Sequence, residues 1–164
     1  MTLSALVATF FYSGHLRPAP GTWGSLAALP AAWLVAEWAG FFGLLFIGAI
    51  LFFLGLWATR KETAGKADHD PSEIVIDEVV GQWIALAPVI YGANMMQADL
   101  LALWPGWIAA FLLFRLFDIW KPGPVGWADS LGGPLGVMLD DVIAGFFAAV
   151  GVIGLALLAH GVLM

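Results

Sequence analysis

The chain has 164 residues, of which 62% are hydrophobic and only 11% are charged. A soluble domain is usually about a quarter charged, and a soluble chain of this length cannot bury so much apolar surface. The composition therefore excludes an ordinary soluble domain and predicts an integral membrane protein. The net charge of −6 excludes a basic surface for nucleic acid, and the absence of cysteine excludes disulfides and thiolate chemistry.

Apolar segments separated by polar or Gly/Pro-rich loops predict one all-α domain over residues 1–164, with about five membrane-associated helices. Several uncharged windows hold roughly the 20 apolar residues that a helix needs to cross a bilayer. After an apolar stretch at Leu3–Tyr12, the predicted helices lie near Ser25–Ala39, Phe41–Thr59, Ile74–Pro88 and Gly106–Trp120, with a last one from about Val137. The helix at Ser25–Ala39 is short for a full crossing, which leaves a tilted or re-entrant segment as its alternative.

The basic residues predict how the helices are oriented, because short cytoplasmic loops of membrane proteins collect Lys and Arg. The six basic residues border three of the loops and are Arg17, Arg60, Lys61, Lys66, Arg115 and Lys121. These loops are therefore predicted to face the cytoplasm, with the C-terminus outside. The same topology gathers acidic side chains from separate helices at one cytoplasmic edge, namely Asp77, Glu78, Asp118, Asp129, Asp140 and Asp141.

Two of these acids share a local pattern in which an aspartate is followed four residues later by a glycine. Asp77 precedes Gly81, and Asp141 precedes Gly145, so each glycine lies on the same helical face as its aspartate. A residue without a side chain lets two helices approach closely in a membrane. The alternative is that the acids only complement the helix dipole, but ionisable groups within apolar segments are costly and usually functional.

The acidic cluster predicts a site for a divalent cation, since carboxylates brought together repel one another until a cation joins them. Oxygen ligands favour Mg²⁺ or Mn²⁺ over Zn²⁺. The predicted ligands are Asp77, Asp118, Asp140 and Asp141. Because protein-bound Mg²⁺ is usually shared with substrate phosphate oxygens, the cluster points to phosphate chemistry.

Two basic residues lie three positions before and three positions after Asp118. On one interpretation Arg115 and Lys121 hold a substrate phosphate, Arg as a bidentate fork and Lys as a point charge. On the other they form only a ladder of ion pairs along a helix.

A Gly-rich turn, "RPAPGTWGS", opens the first long apolar segment, with Thr22 or Ser25 as the predicted N-cap. Backbone N–H groups at a helix start can bind phosphate, so both residues are candidates for phosphate binding. "SGH" raises a histidine nucleophile at His15, but the Arg and His–Asp partners of such enzymes are missing. His15 and His69 are therefore interpreted as loop residues.

Three segments together resemble the phosphatidylglycerophosphatase A family across nearly the whole chain. They are "PGTWGSLAALP", "EIVIDEVVGQWIAL" and "FRLFDIWKPGPVGWAD…GGPLGVMLDDVIAGFFA". The resemblance implies an Mg²⁺-dependent enzyme of the bacterial inner membrane that removes the terminal phosphate of phosphatidylglycerophosphate. It also implies that the family's acidic motifs lie at Asp77–Glu78, Asp118-x-x-Lys121 and Asp140–Asp141, which makes all five acids candidate catalytic residues.

Two other functions fit a cluster of membrane carboxylates. CDP-alcohol phosphotransferases need an Asp-Gly followed by Ala-Arg and then two aspartates four residues apart, which Asp77–Glu78 and Asp140–Asp141 do not reproduce. A cation- or proton-coupled transporter is disfavoured because the chain has no internal repeat. Within the phosphatase hypothesis the nucleophile stays open between an activated water and a carboxylate that becomes phosphorylated. The oligomeric state also stays open.

Overall fold

The computed structural model describes residues 2–66 and 71–163, which form helices and loops without any strand. His69, interpreted above as a loop residue, lies outside these ranges. The α-helices are α1 (Leu3–Ala8), α2 (Pro20–Glu62), α3 (Ile76–Met96), α4 (Trp104–Trp120), α5 (Pro124–Ser130) and α6 (Gly133–Leu163). Short 3₁₀ turns at Ser13–His15 and Leu100–Leu103 precede α2 and α4.

Four helical segments are long and apolar enough to cross a membrane, by length and composition, and they comprise α2, α3, α4 with the turn before it, and α6. Large apolar side chains such as Trp38, Phe42 and Phe53 are exposed on the outside of the bundle. Helices satisfy their own backbone hydrogen bonds, so a surface of this kind suits lipid and not water. The all-α membrane class predicted from the composition is confirmed.

Helix α2 is a hairpin of two helical arms, residues 20–39 and 41–62, because Gly40 has a non-helical conformation with φ 65° and ψ −166°. Both arms pack along α3. The Trp83 indole N–H donates to the Ala28 carbonyl oxygen of the first arm at 3.0 Å, and a Cβ built on Gly48 of the second arm would contact the same indole at 3.7 Å. The two helices predicted on either side of Gly40 are therefore both present.

The first arm begins earlier than the sequence indicates. Its first residue is Pro20, with Ala19 as an N-cap that makes no side-chain hydrogen bond, so the predicted capping by Thr22 or Ser25 is wrong. Proline is well suited to this position because its missing N–H would have no helical partner there. The extra turn gives the arm a length of about 30 Å at 1.5 Å per residue, which is enough for a full crossing.

Helices α3 and α6 touch through Gly81 and Gly145, as the two Asp-x-x-x-Gly patterns predict. A Cβ built on Gly145 would lie 2.4 Å from the Gly81 carbonyl oxygen. A Cβ built on Gly81 would lie 2.6 Å from the Asp141 carbonyl oxygen. Since there is no room for a side chain at this contact, the two backbones meet directly and bring Asp77 and Asp141 to the same end of the bundle.

The segment between α4 and α6, where no helix was predicted, is not a loop throughout. It contains the short helix α5, which packs on α6 and is preceded by Gly123 and followed by Gly132 and Gly133, all with positive φ. Glycine adopts this backbone region without steric cost. Proline at the first position of α5 starts the helix, a signal that was present in the sequence at Pro124.

The Gly81–Gly145 contact predicts a strong effect of side-chain size. We expect Gly145→Leu to push α3 and α6 apart and to lower the free energy of unfolding by roughly 1–3 kcal/mol or more, the usual cost of overpacking. The measurement is the thermal unfolding midpoint in detergent micelles. Gly154→Leu, at a position of α6 where an added Cβ meets nothing within 4 Å, is the matched control. Equal midpoints for the two variants would contradict the close contact.

Candidate active site

A polar cavity of about 320 Å³ lies at the end of the bundle where α3 and α6 begin and α4 ends. Its charged lining side chains are Asp77, Glu78, Arg115, Asp118, Lys121, Asp140 and Asp141. Three helix ends thus supply every catalytic and metal-binding acid predicted from the sequence, together with both predicted basic residues. The remaining lining residues come from the start of α2, from the loop before α3 and, with Ile119, from the last turn of α4.

The inner wall of the cavity is a cluster of three carboxylates. One oxygen from each of Asp77, Glu78 and Asp141 lies within 4.8 Å of the other two. Asp77 and Asp141 are buried, and Glu78 Oε2 is a buried oxygen without a hydrogen-bond partner among the described residues. Three hard oxygen donors held this close together fit a divalent cation.

Arg115 connects this cluster to α4 and to the first arm of α2. Its Nη1 lies 2.5 Å from Asp118 Oδ2 and 4.0 Å from Glu78 Oε1. The same nitrogen donates to Ser25 Oγ at 3.5 Å, while Nε is buried without a partner among the described residues. The guanidinium is therefore held in place by a carboxylate on one side, and a second donor remains for another anion.

Lys121 links the end of α4 to α5 and α6 at the outer wall of the cavity. The residue ends α4 in a left-handed conformation, and its Nζ donates to Asp129 of α5 at 2.5 Å and to Asp140 of α6 at 2.6 Å. Burial alone would lower the pKa of Lys121, but its hydrogen bonds and the two negative charges raise this pKa above its usual value. An ammonium group has three N–H donors, so one remains for a ligand in the cavity.

Gly21 is a site residue to which the sequence analysis gave no individual role. A Cβ built on it would lie 2.1 Å from Glu78 Oε1 and 3.2 Å from Arg115 Nη1. The start of α2 can therefore close the cavity only because this position has no side chain. The signal in the sequence was the Gly-rich turn, but its neighbour across the bundle is visible only in the fold.

The two predicted phosphate-binding hydroxyls lie behind the cavity and do not line it. Ser25 is fully buried, where its hydroxyl donates to the Gly21 carbonyl oxygen at 2.9 Å and accepts from Arg115. Thr22 is on the same turn of the first arm but is not a lining residue. A direct phosphate contact for either hydroxyl stays a prediction, whereas the support that Ser25 gives to Arg115 is seen directly.

The candidate ligand set also differs in detail from the predicted one. Asp118 and Asp140 line the same cavity as Asp77 and Asp141, but each has a basic partner, Arg115 and Lys121 respectively. Glu78 takes the third place in the close cluster. Asp129, counted among the acids from the sequence but given no role, is the second anchor of Lys121.

A helical membrane bundle with a carboxylate cluster and two basic side chains at one end is the architecture of a membrane enzyme acting on phosphate groups. The phosphatidylglycerophosphatase A family model matches residues 6–156. The chain is 39% identical over 146 residues to the phosphatidylglycerophosphatase A of Haemophilus influenzae, covering 88% of this chain and 83% of that protein. It is 34% identical over 148 residues to the Escherichia coli enzyme of the same name, covering 88% and 78%.

A third relative, from Bacteroides thetaiotaomicron, is named as a candidate phosphatidylinositol-3-phosphatase and is 39% identical over 151 residues, covering 89% of each chain. No solved structure matches the chain significantly. The chain belongs to the phosphatidylglycerophosphatase A family. It is therefore a phosphatase of phospholipid metabolism, and neither a phosphotransferase nor a transporter is favoured.

The two ion pairs of Lys121 predict that removing Lys121 lowers the free energy of unfolding more than removing Asp129 does. Lys121→Met leaves the carboxylate of Asp140, only 6% exposed, without its cation, and we expect a loss of roughly 3 kcal/mol of unfolding free energy. Asp129 is 47% exposed, so Asp129→Asn should cost at most about 1 kcal/mol. Thermal unfolding in detergent at pH 7 measures both variants.

That comparison can be made at pH 7 because the pKa of Lys121 is raised. Stabilisation by a group of this kind is complete below its unfolded pKa and is lost only as the pH rises through its higher folded pKa. The lysine therefore stays charged at neutral and mildly alkaline pH. Equal destabilisation by the two substitutions would show that Asp140 does not depend on Lys121.

Proposed function

We propose that the protein hydrolyses the terminal phosphomonoester of phosphatidylglycerophosphate to phosphatidylglycerol and inorganic phosphate. The observation that carries the proposal is the cluster of Asp77, Glu78 and Asp141 within 4.8 Å of one another, facing the same cavity as Arg115 and Lys121. The substrate comes from the names of the Haemophilus influenzae and Escherichia coli relatives. In the reaction the phosphorus–oxygen bond to glycerol breaks, a water oxygen joins phosphorus, and the alkoxide leaving group takes up a proton.

The cluster of Asp77, Glu78 and Asp141 would hold a divalent cation, with Mg²⁺ as the proposed ion. When bound there, such an ion supplies Lewis-acid polarisation of the phosphoryl group and neutralises its charge. Asp118 and Asp140, predicted as further ligands, face the same cavity. In this proposal their first role is to hold Arg115 and Lys121 through the ion pairs described above.

The two basic residues would bind and orient the phosphate. Arg115 is fixed by Asp118 and Ser25, and Lys121 is fixed by Asp129 and Asp140. Side chains that are already held lose little conformational entropy when the substrate arrives, and donors aimed beforehand at developing charge are the most effective ones in catalysis. Each base keeps donors for a phosphate oxygen, because the Arg115 ion pairs use only Nη1 of its guanidinium and the Lys121 ion pairs use two of its three N–H groups.

Removal of one carboxylate from the inner cluster tests the role of a metal. We expect Asp77→Asn, Glu78→Gln and Asp141→Asn each to lower the rate of phosphate release by at least about 100-fold, the scale of other catalytic electrostatic groups. Binding of Mn²⁺, followed by electron paramagnetic resonance on the purified protein without substrate, should weaken in parallel. Unchanged Mn²⁺ binding and full activity in the Asp77→Asn/Asp141→Asn double variant would exclude the proposed cation site.

The control for these variants is Asp99→Asn. Asp99 caps the 3₁₀ turn before α4 by accepting from the Leu101 N–H at 2.7 Å, and it does not line the cavity. Its activity and Mn²⁺ binding should stay near those of the unchanged protein. Phosphatidylglycerophosphate, phosphatidylinositol 3-phosphate and glycerol 3-phosphate are the substrates to compare, because the Bacteroides thetaiotaomicron relative carries the name of an inositol lipid phosphatase. A preference for the inositol lipid would overturn the proposed substrate.

We also propose that the helices cross the bacterial inner membrane several times, with the active site facing the cytoplasm. Support comes from Lys61, Arg115 and Lys121, which lie at the end of the bundle that carries the cavity, and from the positive-inside rule. The natural chain has no cysteine, so single cysteines can report topology. In intact cells Lys66→Cys and Ser130→Cys should resist an impermeant thiol reagent, whereas Gln97→Cys should react. Labelling of Ser130→Cys from outside would reverse the orientation.

A further inference from the structure

The polar cavity has an apolar side that the hydrolysis of a phosphate group does not explain. Ala19 and Pro20, at the start of the first arm of α2, are among its lining residues. Ile119, in the last turn of α4, also lines it, although 71% of this isoleucine is exposed. An isoleucine that is exposed on the outside of a membrane bundle and also lines a charged cavity marks a place where the cavity opens sideways.

The surface of α4 below Ile119 continues this apolar side along the bundle. Ile108, Leu112 and Leu116 are all exposed, and the spacings of four and seven residues place Ile108, Leu112 and Ile119 on one helical face. Arg115 shares that face, one turn before Ile119, and its guanidinium is directed at Gly21 and Ser25. A phosphate held by Arg115 would therefore have the apolar stripe of α4 directly next to it.

We propose that the apolar side of the cavity, formed by Ala19, Pro20 and Ile119, is a lateral portal, through which a lipid phosphate enters from the bilayer and against which its acylglycerol part rests. This inference relies on the proposed function and adds to it the part of the site that distinguishes a lipid from a soluble phosphate. The charged head is bound inside by the two bases, and the first carbons of the lipid lie on Ile119. The acyl chains stay among the lipids along α4, so the substrate does not have to leave the membrane.

A cavity with a charged interior and an apolar side fits an amphipathic ligand better than a soluble one. A small phosphate ester such as glycerol 3-phosphate would use Arg115 and Lys121 but would gain nothing from Ile119. An acylglycerol gains binding free energy from the apolar contact. This gain is the same in the bound substrate and in the transition state. Loss of a contact of that kind raises KM and leaves kcat unchanged. The portal therefore predicts a KM effect that is confined to lipid substrates.

The test compares Ile119→Asn with Ile153→Asn, the same substitution at a 48% exposed isoleucine of α6 that does not line the cavity. Both variants and the unchanged protein are assayed in mixed micelles with long-chain phosphatidylglycerophosphate and in solution with glycerol 3-phosphate. We expect Ile119→Asn to raise KM for the lipid by about tenfold, the scale of a lost apolar contact in a specificity pocket. Its kcat for the lipid and its kcat/KM for glycerol 3-phosphate should stay within about twofold of the unchanged protein. Ile153→Asn should match the unchanged protein on both substrates, and Ile119→Leu should restore the lipid KM.

The outcomes separate the portal from the proposed function. If the unchanged protein hydrolyses glycerol 3-phosphate but no lipid phosphate, the proposed function fails. If it hydrolyses the lipid and Ile119→Asn behaves like Ile153→Asn, the proposed function stands and the portal is wrong. Two other results would also overturn the portal. One is an equal loss of kcat/KM on both substrates in Ile119→Asn, and the other is a lipid KM that stays raised in Ile119→Leu. Either would show that the substitution acts on the polar site itself.

Discussion

The contact between the backbones of α3 and α6 determines the geometry of the whole site. Inside a bilayer, apolar side chains gain little by leaving lipid for a protein neighbour, so close packing of small residues is what holds two helices together. Here Gly145 approaches the Gly81 carbonyl so closely that even a methyl group would collide. Each glycine lies one helical turn beyond an aspartate, so the contact fixes the distance between Asp77 and Asp141.

Charge balance explains the arrangement of the remaining groups around that contact. Six carboxylates gather at this end of the bundle, and Arg115 and Lys121 are the basic residues paired with them, which leaves an excess of four formal negative charges. The two bases neutralise the acids on the α4 side and at the outer edge, through Asp118, Asp129 and Asp140. Of the inner acids, Glu78 is approached by Arg115 only at the longer distance of 4.0 Å. A cation bound from solution would complete this balance.

Sequence patterns were sufficient for features that follow from the apolar length of each helix, the residues on its face and the charges at its ends. The Asp-x-x-x-Gly faces, the two arms on either side of Gly40 and the gathering of acids at one end all follow from helix length and from the distribution of Lys and Arg. Features that depend on two distant segments could not be predicted in this way. The steric role of Gly21 requires knowledge of where Glu78 lies, and the anchoring of Lys121 by Asp129 requires α5, whose glycine-flanked turn resembles a loop in sequence.

The carboxylate cluster also has a consequence for the order in which the protein matures during translation. Asp77 and Glu78 enter the membrane on α3, but Asp141 belongs to the final helix of the chain. A nascent chain that has not yet released α6 from the ribosome carries two of the three inner acids and none of the glycine contact that aligns the third. The three-carboxylate cluster therefore forms only after α6 has been made. A chain truncated before residue 141 lacks both Asp141 and the Gly81–Gly145 contact, so it cannot form the cluster even in a weakened form.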